Sequence, residues 1–345
     1  MMANRALGAP RLTGPQPVAK PEVVSSGKAE TSPLITAGDS RVPDGFFHLA
    51  VLSCGLCVLA LVGVIVYELI TKSSLSWHAF GWKFFFRSEW DPVNEQYGAW
   101  PFVYGTVVSS LLALLLAVPL AIGVAVFITE MCPRWLKSSL AFTTELLAAI
   151  PSVIYGLWAI FVMVPLLRQY VEPVLARYLG WTGLFDGTPY GIGMLAAGII
   201  LAIMVVPIIS SITREVMTAV PQQQREAVLA LGATRWEMIR TGVLRNARAG
   251  ILGGVILGLG RALGETMAVT MVIGNRPEIA RSLFAPGYTM ASVIANEFSE
   301  ATSDTYLSAL VEVGLALFIV TIIVNILAQL LVWSVTRGMP RRSNA

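Results

Sequence analysis

Six apolar stretches lie at about 46–70, 102–128, 139–166, 190–212, 248–274 and 306–335, and each has the roughly 20 residues that a helix needs to cross a bilayer. No other feature constrains the fold as much. Lipid offers no water to pair with free N–H and C=O groups, so a spanning segment satisfies its backbone internally, as a helix does. Pro119 and Pro151 interrupt two of the stretches, which is tolerated where neighbours re-satisfy the freed carbonyls. The composition agrees. Of 345 residues, 55% are hydrophobic and 13% charged, with mean hydropathy +0.70, whereas a soluble domain is about a quarter charged. The expected fold class is an all-α membrane protein with six transmembrane helices. The net charge of +3 is too small to imply a nucleic-acid partner; membrane lipid is the surrounding phase.

The positions of the basic residues set an orientation. Sixteen Lys and Arg flank the spans on one side and seven on the other, with Arg261 completing the 24. The positive-inside rule then places both termini in the cytoplasm, in a multi-pass arrangement. Residues 1–45, rich in Pro, Gly, Ser and Thr, read as a disordered cytoplasmic tail, and 337–345 as a short second one. The polar lead is too long for a signal peptide. Residues 71–100 fall outside and mix Trp and Phe with Lys83 and Arg87. They fit either an interfacial helix or an aromatic belt capping the second span. Residues 101–336 form the core, interrupted by a cytoplasmic loop at about 213–248.

That loop carries an apolar surface. Pro221 can start a helix, Gly232 can stop it, and ATRWEMIRTGVL starts a second. Val228, Leu229, Leu231, Trp236 and Ile239 would be left facing the cytosol unless covered. Either a partner protein covers them or the loop rests on its own membrane domain.

The fifth stretch contains Arg261 and Glu265, four residues apart. Each charge near the bilayer centre costs roughly 2.5–3.5 kcal/mol on insertion scales. On a continuous helix both project from one face, which Gly254 and Gly258 extend toward other helices. One reading is a structural ion pair. The other is substrate contact: a guanidinium fork matches a tetrahedral oxyanion bidentately and stays charged at physiological pH. The carboxylate would offset the arginine when no anion is bound and keep the site weak enough for transit. Glu145, Glu312 and Glu68 are the other acidic residues in spans. Ser152 and Tyr155, just past Pro151, are further candidates to line a path.

No constellation for chemistry is present. The sequence has no GxxxxGK[ST] phosphate loop, and Gly258, Gly260 and Gly264 read as small residues for close helix approach. His48 and His78 sit in no metal-type or triad cluster, and Cys54 and Cys57, inside an apolar segment, read as packing residues rather than a redox pair. The chain is not read as an enzyme, and energy has to come from a partner or an ion gradient.

Glu226-Ala227-Val228, with Gly232 four residues on, resembles the EAA loop of ABC importer permeases, and the position between the fourth and fifth spans is that family's arrangement. The loop departs from the pattern at Gly242 and Arg245, where the family carries an apolar residue and a proline. ELLAAIPSVIYGLWAIFVMVP (145–165) and GRALGETMAVTMVIGN (260–275) resemble the C-type (PstC) permease subunits of phosphate-specific ABC importers. The likeness covers about residues 75–338. It implies a type I ABC importer permease fold in a bacterial cytoplasmic membrane, forming half of a pore for inorganic phosphate. It implies Arg261 and Glu265 in the substrate path, while Ser152 and Tyr155 remain path-lining candidates by their place after Pro151. Arg225, Glu226, Ala227, Leu229, Gly232 and Trp236 become the ATPase-coupling residues. The implied partners are a second, PstA-type permease, a PstB-type ATPase dimer that binds ATP and Mg, and an external phosphate-binding protein; this chain itself holds no cofactor. Rival expectations are an ABC permease for sulfate, molybdate or phosphonate, and a gradient-driven anion carrier, which usually shows internal repeats not found here.

Overall fold

A computed structural model describes residues 41–336; the tails at 1–40 and 337–345 lie outside the described residues. Six helices are long and apolar enough to cross a membrane. In chain order the elements are α1 (Arg41–Lys72), α2 (Ser74–Phe80), α3 (Trp100–Met131), α4 (Arg134–Ala149), α5 (Ser152–Thr182), α6 (Met194–Thr218), α7 (Gln222–Ala230), α8 (Arg235–Leu263), α9 (Met267–Val272), α10 (Met290–Glu297) and α11 (Asp304–Thr336). Contacts divide the chain at Leu59, inside α1. Along the first unit the described side chains of α1 are exposed apart from the half-buried Ala50, and Cys54 and Cys57 are among the exposed ones, so neither thiol packs against the described residues.

Two spans differ from the sequence expectation. The third was expected at 139–166 with Pro151 inside it. Instead the helix breaks at Ile150, which takes the extended conformation that a following proline favours (ψ 129°), and the span runs Ser152–Thr182. Tyr155 Oη donates to Leu147 O at 2.7 Å and ties the corner. The preceding α4 is a separate helix with no buried residue. Within α5, wide π turns at 159–163 and 167–171 stand directly before Val164-Pro165 and Glu172-Pro173. A proline ring crowds the carbonyl four residues back, and a widened turn makes room for it. The fifth span, expected at 248–274, runs Arg235–Leu263 and breaks at Gly264.

Within the second unit (60–345), the centre is α3 packed on α6. Ala113, Ala117 and Ala121, one helical face of α3, are fully buried with Ala197, Ile200 and Val205 of α6. A Cβ on Gly198 would come within 2.5 Å of Leu112, so the two backbones approach through small residues. In lipid such close van der Waals packing replaces the hydrophobic drive that associates helices in water.

At the end where α3 begins, Phe84, Trp90 and Tyr97 from the connecting segment are buried with Phe102, Tyr288 and Tyr306. Tyr97 stacks on Tyr306 at 5.5 Å, while Trp90 Nε1 and Tyr306 Oη both donate to Glu297 Oε2, at 2.8 and 2.7 Å. Asp91 closes the turn in this segment: its carboxyl is held below the usual range first by the Asn94 amide and then by the N–H groups of Val93 and Asn94. The segment divides between buried and exposed aromatics. Alternate aromatics cap the helices, and Trp82 and Phe86 stay outside, 72% and 73% exposed.

Candidate functional site

The break between α8 and α9 builds the first site. Arg261 lies in the last turn of α8, Gly264 ends the helix, and Glu265 and Thr266 form a short non-helical link before α9. The expectation of two charges on one continuous helical face is therefore corrected. Glycine is a poor helix former, and the glutamate has turned back under the break instead of continuing the spiral. Non-helical backbone at membrane depth persists only where protein or a polar cavity surrounds it, and Glu265 meets that condition at 7% exposure. Its Oε1 takes a long contact from Ala268 N (3.5 Å), at the start of α9, and its Oε2 lies 3.4 Å from Arg261 Nη2.

The two partners have unequal surroundings. The Glu265 side chain is 6% exposed and that of Arg261 45%. Gly254 and Gly258 pack against α6, where Cβ atoms would meet Ile212 at 3.2 Å and Val205 at 2.7 Å; that face continues to the buried Ala262. Arg261 belongs instead to the open side of α8, with Gly253 and Gly260, around which a Cβ would meet nothing within 4 Å, and with Leu257, 61% exposed. Of the three glycines read as contact residues, Gly258 alone is one: Gly260 is on the open side and Gly264 ends the helix. Arg261 Nη2 approaches Glu265, and among the described residues no hydrogen bond engages Arg261 Nε or Nη1.

Ser152 and Tyr155 reach the same neighbourhood because α9 packs on the start of α5. Gly156 permits this, since a Cβ there would meet Met271 Sδ at 2.4 Å and Ala268 Cα at 3.2 Å. Ser152 is half-buried at the first position of α5, whereas Tyr155 is 9% exposed with its hydroxyl committed to Leu147 O. Glu145, on α4, is ion-paired with Arg214 of α6.

The second site is the loop between α6 and α8. Pro221 precedes α7, Gly232 adopts φ +83°, and Thr234 and Glu237 form a reciprocal capping box that starts α8. The second loop helix does not stop; it continues through a π segment at 238–244 into the fifth span. Gly242, one of the two departures from the resembled pattern, is where Val228 rests, 3.3 Å from the position of a Cβ. Glu226 and Ala227 face outward with Leu229 (41% exposed), Trp236 (62%) and Leu231 (89%), while Ile239 is buried. Arg225 turns inward: Nη2 donates to Met217 O at 2.7 Å and lies 3.2 Å from Glu130 Oε1 at the end of α3.

A family model described as "Binding-protein-dependent transport system inner membrane component" matches residues 117–337, which takes in both sites. The chain belongs to this family. Curated relatives of this transport-system membrane component are similar over most of their length. "Phosphate transport system permease protein PstC" of Mesorhizobium japonicum is 47% identical over 290 residues, 83% of this chain and 89% of that protein. The protein of the same name from Haemophilus influenzae is 46% identical, covering 80% and 89%. "Probable phosphate transport system permease protein PstC" of Methanocaldococcus jannaschii is 41% identical, covering 69% and 76%. A solved structure of the MetNI methionine ABC transporter in inward-facing conformations aligns with TM-score 0.47 and 18% identity, over 70% of this chain and 95% of that one.

The sequence reading missed three features of this membrane component. Glu130 had no part in it, although an acid at the end of a span facing a basic loop is a legible signal. Glu172, placed in an outer loop, lies within α5 at 1% exposure and accepts from Gly191 N at 2.9 Å. Glu312 is fully buried with neither carboxyl oxygen hydrogen-bonded among the described residues, and nothing in a sequence reports that.

Proposed function

We propose that this chain forms half of the transmembrane pore of an ABC importer that carries inorganic phosphate into the bacterial cytoplasm, driven by ATP hydrolysis in a separate subunit. The supporting observation is the similarity, near 45% over four-fifths of the chain, to permeases named for phosphate transport, together with a half-exposed arginine at a break in the fifth span. No bond is made or broken here. Arg261 offers one edge of its fork to phosphate oxygens, since both bidentate edges share Nη2 and Nη2 also faces Glu265; Glu265 lowers the net charge of the site so that the anion also leaves. Ser152 adds a hydroxyl from the neighbouring α5. The open side of α8 faces the second, PstA-type permease, which completes the pore. An external binding protein delivers phosphate, and a PstB-type ATPase dimer holding ATP and Mg docks on the exposed face of α7. Closure of that dimer moves α7, and with it the ends of α3 and α8, between inward- and outward-facing arrangements. Both termini are cytoplasmic, on the charge asymmetry given above.

The test is uptake of labelled phosphate by cells that depend on this chain, challenged with unlabelled phosphate, sulfate or molybdate. Competition by phosphate alone is expected. Stronger competition by sulfate or molybdate would give the other-oxyanion reading, and uptake sustained without any copurifying ATPase would give the carrier.

A further inference from the structure

Two recesses flank Trp82 where the chain passes from α1 to α3. One, of about 680 Å³, is lined by Ala79, Phe80, Trp82, Lys83, Phe86 and Arg87. The other, of about 340 Å³, is chiefly apolar and lies between the end of α1, the α2 segment and α11, with Ile70, Trp77, Phe85, Leu315 and Ile319 in its wall and Trp82 again on its edge. Because a span ends at Lys72 and the next begins at Trp100, this segment is held at one edge of the hydrocarbon layer. Trp82 and Phe86, nearly three-quarters exposed, therefore lie at headgroup depth, where amphipathic rings are favourable.

The charges select the occupant. Arg87 gives Nε and Nη2 to Glu89 Oε2, at 3.1 and 2.6 Å, so that pair is neutral overall. Lys83 is exposed and has no ion-pair partner among the described residues. The first recess thus carries one net positive charge, next to an apolar channel. We propose that the two recesses together hold one anionic phospholipid, its phosphodiester on Lys83 and an acyl chain along Ile70, Leu315 and Ile319. A phosphodiester carries the single charge that one lysine matches, and the apolar recess has no use for a free anion. A zwitterionic lipid gains less, because the Glu89 carboxylate is already taken by Arg87, which lines the recess.

The experiment uses the full-length chain extracted from membranes in mild detergent with the subunits that accompany it, and quantifies retained phosphatidylglycerol and phosphatidylethanolamine by mass spectrometry. Lys83→Gln is expected to lower retained phosphatidylglycerol about fivefold, the factor that one basic residue confers at a charged lipid surface, and to leave phosphatidylethanolamine unchanged. Lys83→Arg should retain it, and Glu89→Gln, which frees Arg87, should raise it. Leu315→Trp, filling the apolar recess without touching charge, should also displace the lipid. Equal retention in wild type and Lys83→Gln at equal folded yield would overturn the proposal. So would parallel loss of both lipids, or displacement by excess inorganic phosphate, which would make the recess a free-anion site.

Discussion

Arg225→Met should loosen α7 without disturbing the spans. Arg225 is 17% exposed and Glu130 8%, so removing the arginine leaves a carboxylate buried and unpaired. Breaking a buried pair from one side costs about 3–5 kcal/mol. The geometry favours the lower end, since Glu130 Oε1 and Arg225 Nε lack a well-aligned hydrogen bond and the closest contact is 3.2 Å. The same substitution also removes the 2.7 Å bond to Met217 O, worth about 1 kcal/mol. α7 stays held by Val228, which packs on Gly242 and against the cluster containing Ile239 and Val243, and by the 2.9 Å bond from Asn246 to Gln224. A nine-residue helix does not persist alone in water. The two losses together come to about 4 kcal/mol and multiply the opened population several-hundredfold, because each 1.4 kcal/mol is a factor of ten. Amide hydrogen exchange over 222–230 reads that population directly, and it should accelerate by about that factor while exchange in α3 and α6 is unchanged. The double variant Arg225→Met, Glu130→Leu leaves no orphaned charge and should recover most of the protection. Unchanged exchange at 222–230 in Arg225→Met would refute the pair as the tie between α7 and α3.

Leu231→Asp or Trp236→Ser alters only outward-facing side chains, so the permease should insert and fold normally while losing its ATPase on copurification and its uptake; wild-type levels of both would remove α7 and its turn as the docking surface. The double variant Arg261→Met, Glu265→Gln leaves no unpaired charge at the α8–α9 break, so it should assemble and bind the ATPase yet fail to import. Phosphate uptake recovered at normal expression would reduce the pair to a structural one. A reporter active only in the cytoplasm should work when fused after Arg342 or within Gln222–Gln224 and be silent near Asp186 or Glu300, and reversal at any two sites would refute the orientation.

The sequence by itself determined what bulk hydropathy and local chemistry control. Apolar runs of twenty or more residues have no other solution in lipid than a helix, so six spans were legible, and Pro221 and Gly232 marked the bounds of α7 because each fixes or frees a backbone angle regardless of context. The family likeness was legible in short stretches for the same reason. Tertiary structure alone decided the rest. A hydropathy run does not say where a helix breaks inside it, so Pro151 ended one and Gly264 another, and the second break moved Glu265 off the helical face and beneath Arg261. Periodicity placed Arg225 beside Glu226, yet one faces a buried carboxylate and the other solvent, because the tilt of α7 against the π segment of α8 is set by Val228 meeting Gly242. Which charges are paired, and which face stays open, depends on residues a hundred positions apart being brought within 4 Å. No local pattern encodes that distance.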